Sequence, residues 1–219
     1  MKALVLLSGG QDSTTCLYWA LREYGKENVS AFGFDYGQRH IEELKYAQAI
    51  CDELGISFVI QSLPTVSEMT ENALTRSDIQ VDNSYDGSAP PNTLVEGRNL
   101  IFLTYAAIYA KKRGIKVLVT GVSQADYSGY PDCRDVFIKS TNVTLSLGLD
   151  YPFLIETPLM WRDKAQVWAL ARELGVLDII KEKTLTCYNG VPGEGCGDCP
   201  ACNLRSWGYE GFVRDEQRI

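Results

Sequence analysis

The segment that most constrains the fold stands near the start of the chain. A continuous apolar run, Ala3-Leu4-Val5-Leu6-Leu7, gives way to Ser8-Gly9-Gly10-Gln11-Asp12-Ser13-Thr14, and a helix-periodic stretch follows. An apolar run without polar alternation is a strand covered on both faces, as in the centre of a parallel sheet. Parallel neighbours need crossover connections, and the sequence supplies them. Residues 13–23 place Leu17, Ala20 and Leu21 on one helix face, and residues 29–34 read as a second strand. Residues 41–54 form a second helix with Leu44, Ala47 and Ile50 at helical intervals and Gly55 as its stop signal, and residues 56–60 a third strand. A βαβαβ order of this kind predicts a doubly wound, mostly parallel α/β sheet.

Further along, residues 64–97 interrupt the rhythm with Pro64, Pro90, Pro91, Gly87 and many Ser, Thr, Asn and Asp residues. A connection this long is expected to act as a lid-like or edge insertion, against the simpler reading of a surface loop. Residues 100–112 read as a broadly apolar, buried helix and residues 116–120 as a fourth strand ending at Gly121. A helix over 135–147, a short strand at 153–155 and a helix over 163–174 complete the pattern. The chain is expected to divide into an α/β domain over residues 1–180 and a cysteine-rich segment over residues 181–219.

Charge and composition exclude several classes. The 28 acidic side chains outnumber the 21 basic ones, for a net charge of −7, which argues against holding nucleic acid through its phosphates. No apolar run approaches the roughly 18 residues of a membrane span. The first residues lack a secretory signal pattern, so a cytoplasmic location is expected. In that compartment seven cysteines point to metal binding rather than to disulfides.

The glycine loop carries chemistry. It follows a strand and opens a helix at the carboxyl edge of the sheet, where open α/β folds bind ligands. Two glycines let backbone approach an anion; Ser8, Ser13 and Thr14 add hydroxyls; the helix start adds free N–H groups and partial positive charge. The loop lacks both the Gly-Lys-Ser/Thr ending of a Walker loop and the spacing of a dinucleotide fingerprint. A tight turn capped by Asp12 or Ser13 is the simpler account, compatible with a phosphate cradle.

Near the other end, Cys187-x8-Cys196-x2-Cys199-x2-Cys202 places four thiols within sixteen residues. Four thiolates suit one tetrahedral, structural zinc ion; an iron–sulfur cluster is the rival. Cys16, Cys51 and Cys133 are isolated and read as buried small hydrophobes. Lys183 and Arg205 flank the cluster as solvated charges.

Ser-Gly-Gly-x-Asp-Ser after a first strand resembles the PP-loop ATP pyrophosphatases, of adenine nucleotide alpha hydrolase-like fold. Within them the chain is similar to the 7-cyano-7-deazaguanine synthase family. The likeness rests on Ser8 to Cys16, Tyr36-Gly37-Gln38-Arg39-His40, Glu96-Gly97-Arg98-Asn99, Thr120-Gly121-Val122, Asp126 to Arg134, Thr157-Pro158-Leu159-Met160-Trp161, Asp163-Lys164 and Leu185 to Gly190 with its three later cysteines. It implies conversion of 7-carboxy-7-deazaguanine and ammonia to 7-cyano-7-deazaguanine at the expense of ATP, on the route to queuosine. It implies ATP with Mg2+ as co-substrate, one zinc per chain, a free base rather than RNA as substrate, and a homodimer.

The resemblance also distributes roles. Leu7, Ser8, Gly9, Gly10, Gln11, Asp12, Ser13, Thr14, Thr15, Cys16 and Leu17 form the ATP segment. Asp12, as magnesium ligand or helix cap, Arg98, as partner of a phosphate or carboxylate, and Lys164 are the catalytic candidates. Arg39, His40, Asp126, Tyr127, Tyr130, Asp132 and Arg134 are substrate-binding candidates. Two rival functions stand beside this one. The first is another PP-loop enzyme that amidates or thiolates an adenylated substrate, including one on tRNA. The second is a zinc-ribbon interaction module with an inactive nucleotide fold, which the intact loop disfavours.

Overall fold

The computed structural model of the chain describes residues 1–82, 91–125 and 130–217. Its centre is a five-stranded parallel sheet in the order β3-β2-β1-β4-β5. The strands are β1 (Ala3–Leu6), β2 (Val29–Asp35), β3 (Phe58–Ser62), β4 (Val117–Val119) and β5 (Leu154–Glu156). The helices are α1 (Gln11–Tyr24), α2 (Glu43–Leu54), α3 (Thr65–Met69), α4 (Arg98–Lys112), α5 (Asp135–Gly148), α6 (Lys164–Glu173), α7 (Leu177–Glu182) and α8 (Pro200–Glu216).

The apolar run of β1 is central because it has a partner on each side: Ala3 pairs with Val29 of β2 and with Val117 of β4. Its side chains alternate between two cores. Leu4 joins Phe32, Leu103 and Leu118 on one face, and Ala3 and Val5 join Leu17, Ile50 and Val119 on the other. Helix α2 ends at Gly55 as the sequence predicts, with φ +63° and its N–H returning to Asp52 O and Cys51 O.

One expectation needs correction. Helix α4 is not buried all round: Leu103, Ala106, Ala107 and Ala110 face the core, but Leu100, Tyr105 and Ile108 are exposed. The described part of residues 64–97 also contributes to the core, and its Leu74 lines the cavity at the carboxyl ends of β1 and β4. Val66, Leu74 and Val95 belong to the core beside β2 and α4. Polar side chains shape its turns. Asn72 Oδ1 accepts from the N–H groups of Leu74 and Thr75, and Asn92 bridges Gln80 O and Asp82 N–H. Residues 83–90 lie outside the described residues.

The C-terminal helix docks on the α/β layer. Trp168 and Ala171 of α6, Ile180 of α7 and Phe212 of α8 form one buried cluster, and Trp168 Nε1 donates to Arg205 O at 3.1 Å.

Candidate active site

The chain winds β1, β2, β3 to one side and then crosses to β4 and β5 on the other. The connections diverge at the carboxyl ends of β1 and β4, which is where such sheets open a ligand crevice. A cavity of about 330 Å³ lies there. Residues 6–8 and 10–13 line it from β1 and α1, residues 120–124 from the end of β4, and Tyr36, Gln38, Arg39, His40 and Glu43 from beyond β2. Arg98 and Asn99 of α4, Lys164 of α6, and Thr186, Tyr188 and Arg205 of the C-terminal arm close it.

The glycine loop is tightly determined by its own contacts. The N-cap of α1 is Gly10, which has no side chain to cap with, so neither Asp12 nor Ser13 is the N-cap. The two serine hydroxyls meet each other at 3.0 Å, and Ser13 Oγ also accepts from Ser8 N–H at 3.2 Å. Gly9 is required as glycine. Its φ is +94°, and a Cβ there would sit 2.1 Å from Glu43 O at the start of α2.

Asp12 and Lys164 meet across the crevice. Lys164 Nζ lies 3.0 and 2.9 Å from the two carboxylate oxygens. Lys164 is the first residue of α6, whose N-cap Asp163 forms a capping box with Gln166. Beyond β2, Arg98 donates to Tyr36 Oη at 3.4 Å, and Tyr130 Oη shares a 2.6 Å hydrogen bond with Thr93.

The four cysteines converge. The sulfurs of Cys187, Cys196, Cys199 and Cys202 all lie within 4.8 Å of one another. Cys199–Cys202 is 3.4 Å and Cys196–Cys202 is 3.9 Å. A tetrahedral ion with metal–sulfur bonds of about 2.3 Å needs sulfurs about 3.8 Å apart, so the group could hold a metal. The backbone N–H of Asn189 points at Cys187 Sγ, and those of Cys199 and the Asn189 side chain at Cys196 Sγ. Burial opposes ionisation of Cys196. The N–H groups of Cys199 and Asp198 and the Asn189 amide outweigh it and bring the thiol down to about 6. Gly195, at φ +84°, leaves room for Cys202 Sγ, which a Cβ would meet.

This centre is stitched to the glycine loop. Leu185 N–H donates to Gly9 O at 3.0 Å, and Thr186 Oγ1 accepts from Gln11 N–H at 3.1 Å. Arg205 supports the stitch. Its guanidinium is buried and donates to Thr184 Oγ1, Thr186 Oγ1, Ile180 O and Lys181 O. Arg205 is therefore not a solvated charge; Lys183 is, in an exposed pair with Glu53.

With this geometry in hand, comparison with known proteins is decisive. The family model described as queuosine biosynthesis protein QueC matches residues 2–213. The chain belongs to the QueC family. A 7-cyano-7-deazaguanine synthase of Clostridium acetobutylicum is 57% identical over 213 residues, covering 97% of this chain and 95% of the relative. A protein of the same name from Clostridium botulinum (strain 657 / Type Ba4) is 56% identical over 214 residues, covering 98% and 97%. Another, from Clostridium novyi (strain NT), is 54% identical over 211 residues, covering 96% and 95%. Among solved structures, NMN synthetase from Francisella tularensis superposes with a TM-score of 0.51 at 16% identity, over 96% of this chain and 77% of that one. It shares the fold.

In this QueC chain the residues singled out from sequence divide clearly. Leu7, Ser8, Gly10, Gln11, Asp12, Ser13, Arg39, His40, Arg98, Tyr130, Arg134 and Lys164 line the cavity. Thr14, Thr15, Cys16 and Leu17 are buried along α1 behind the loop, with Thr15 Oγ1 bonded to Gln11 O. Asp132 is not in the cavity wall; its carboxylate accepts Asn99 N–H at 2.9 Å and thereby caps α4. Arg39 lines the cavity but spends its guanidinium on Ser77 O and Ile79 O. His40 packs against Gly190 of the cysteine loop, and burial, with Arg39 beside it, lowers its pKa. Asp126 and Tyr127 lie outside the described residues. Sequence reasoning gave no site role to Gln38, Glu43, Thr186, Tyr188 or Arg205. The Tyr36–His40 motif was the available signal for Gln38 and, just beyond it, Glu43; Thr186 and Tyr188 flank Cys187, and Arg205 follows Cys202.

No described helix is long and apolar enough to cross a membrane.

Proposed function

We infer that the chain is an ATP-dependent carbon–nitrogen ligase that makes 7-cyano-7-deazaguanine from 7-carboxy-7-deazaguanine and ammonia in queuosine biosynthesis. The observation that carries this reading is an anion-shaped loop at the sheet's switch point, in a chain matched to QueC over residues 2–213. The substrate carboxylate attacks the α-phosphorus of ATP and pyrophosphate leaves. Ammonia displaces AMP to give an amide. A second ATP activates the amide oxygen, whose departure leaves the nitrile.

The backbone of Gly9 and Gly10 and the hydroxyls of Ser8 and Ser13 cradle the departing pyrophosphate, as oriented donors stabilise developing charge. Lys164 and Arg98 supply positive charge from opposite walls. Arg39, His40, Tyr130 and Arg134 border the space for the base. Asp12 offers one carboxylate, already on Lys164. That fits Mg2+ only when nucleotide phosphates complete its shell, and the ion would then screen phosphate charge.

Zinc is the ion we assign to Cys187, Cys196, Cys199 and Cys202. Four thiolates leave no open position, so its chemistry is structural: it fastens residues 181–219 to the α/β domain of residues 1–180. A second copy of the chain is the partner we assign to the exposed apolar side chains Leu100 and Ile108 of α4 and Val136, Val143 and Leu147 of α5. Sedimentation should give a dimer that Ile108→Glu with Val143→Lys dissociates. A monomeric native chain would remove that assignment.

Mass spectrometry of the product formed from the carboxylate base, ammonia and ATP tests the reaction. Turnover to the nitrile supports it. A thiolated or amidated tRNA, with no turnover of the free base, would replace it by the rival PP-loop activity.

A further inference from the structure

One wall of the cavity carries a carboxylate that the phosphate chemistry leaves unused. Glu43, the first residue of α2, lines the cavity together with Tyr36, Gln38 and Arg98. Gln38 is held rigidly. Its Nε2 donates to Phe34 O at 3.0 Å and its Oε1 accepts Tyr36 N–H at 2.8 Å. The same Nε2 stands 3.5 Å from Glu43 Oε1. From the other side, the main chain of Glu43 abuts Gly9, where only a glycine fits. The carboxyl group is thus registered to the nucleotide loop through its own backbone and to the β2 end through Gln38.

We propose that Glu43 is the general base of the ammonia step. This rests on the synthase reading above. The nitrogen of ammonia forms the C–N bond to the adenylated carbonyl, and the C–O bond to AMP breaks, with the electron pair leaving on AMP. The proton shed by nitrogen passes to the Glu43 carboxylate and from there to solvent. No other reactant is needed.

The surroundings tune the group for this. The groups acting on it are Arg98 of α4 and Gln38; Tyr36 senses its charge in turn, and His40 lines the same wall. Burial pushes Glu43 up to about 7 despite the opposing pull of Arg98 and Gln38. A base with a pKa near the working pH is ionised often enough to act and basic enough to be useful.

The test separates the half-reactions. Adenylation is followed by ATP–pyrophosphate exchange with 7-carboxy-7-deazaguanine in the absence of ammonia, and the second half by kcat/KM for ammonia. Glu43→Gln should keep exchange within a few-fold and lose about 100-fold or more in kcat/KM for ammonia. In the native enzyme that parameter should rise with pH through about 7, in addition to the titration of ammonium itself. The exchange should lack this limb, and so should the variant. An ammonia dependence unchanged in Glu43→Gln, with exchange intact, overturns the assignment of Glu43 alone. A native profile without the limb near 7 also overturns it, even if the variant does not fold. Absence of exchange in the native enzyme overturns the synthase reading as well.

Discussion

Lys164 and Asp12 are 152 residues apart in sequence, and the ammonium of one sits 3.0 and 2.9 Å from the two oxygens of the other. The pair joins the first turn of α1 to the first turn of α6 across the mouth of the cavity. A cation at a helix start gains nothing from the helix dipole; here the Asp12 carboxylate supplies the compensation. Lys164→Met keeps the apolar stem and removes the charge. With Asp12 more than one-third exposed (36%), the cost in folding stability should be about 1 kcal/mol or less. Turnover should fall about 100-fold, as for loss of one preorganised charge-stabilising group. Denaturant titration beside steady-state kinetics checks both. Near-native turnover would show that the pair is structural.

Gly208 of α8 packs on that lysine. A Cβ there would meet Lys164 Cγ, Cβ and main chain, so Gly208→Val should force α8 away from the start of α6 and disturb the pair from a distance. The expected result is a lowered unfolding midpoint together with a loss of turnover. A fully active variant would mean that the ammonium tolerates displacement.

Gly9 and Gly10 should respond differently to a side chain. At Gly9 any Cβ meets the α2 backbone and the φ is unfavourable, so Gly9→Ala should destabilise the fold by several kcal/mol, on the order of a severe core substitution. At Gly10 the nearest atom to a Cβ is 3.6 Å away. Gly10→Val should therefore fold and lose ATP affinity through blocked backbone approach to phosphate. Calorimetric binding of ATP to the folded Gly10 variant is the measurement, and unchanged affinity would refute the cradle.

Arg205 and the cysteine centre should act on the nucleotide loop together. Arg205→Ala removes one donor from each of Thr184, Thr186 and the carbonyls of Ile180 and Lys181, at a cost of about 3 kcal/mol. Removing the metal by chelation, or by Cys199→Ser, should release the same stitch. Amide hydrogen exchange at Leu185 and Gln11, which bond to Gly9 O and Thr186 Oγ1, should accelerate in both cases. Elemental analysis should find one zinc per chain. An iron-containing protein, or protection unchanged after metal loss, would count against this arrangement.

Burial of Glu43 has a consequence for stability as well as rate. Its folded pKa of about 7 lies above the usual 4.5, so the fold favours the neutral acid. Stability from this group is present at low pH and declines as pH rises through about 7. Glu43→Gln mimics the neutral acid, so its unfolding midpoint should match the native protein at pH 4 and exceed it at pH 8. Equal midpoints at pH 8 would mean that Arg98 already neutralises the carboxylate in full.

The sequence by itself determined the sheet, the nucleotide loop and the cysteine quartet, because each is a local pattern. An uninterrupted five-residue apolar run ended by Ser-Gly-Gly reads as a covered strand, a glycine pair between strand and helix opens a loop, and four cysteines within sixteen residues reach one centre without help from the rest of the chain. Tertiary structure alone decided which polar side chains face the cavity. Asp132 and Asp12 are both carboxylates after strand ends, but one caps α4 and the other meets Lys164, a distinction fixed by packing between distant elements. Residues 64–97 read as a lid because polar residues dominate there. Val66, Leu74 and Val95 nonetheless enter the core, since asparagine side chains satisfy the turns that carry them inward. Arg205 read as a solvated charge because its four acceptors lie on residues 180–186, brought to it only when α8 folds back on α6 and α7. Local periodicity encodes which elements form; the partners of a buried charge are set by contacts between residues far apart in sequence, which no local pattern records.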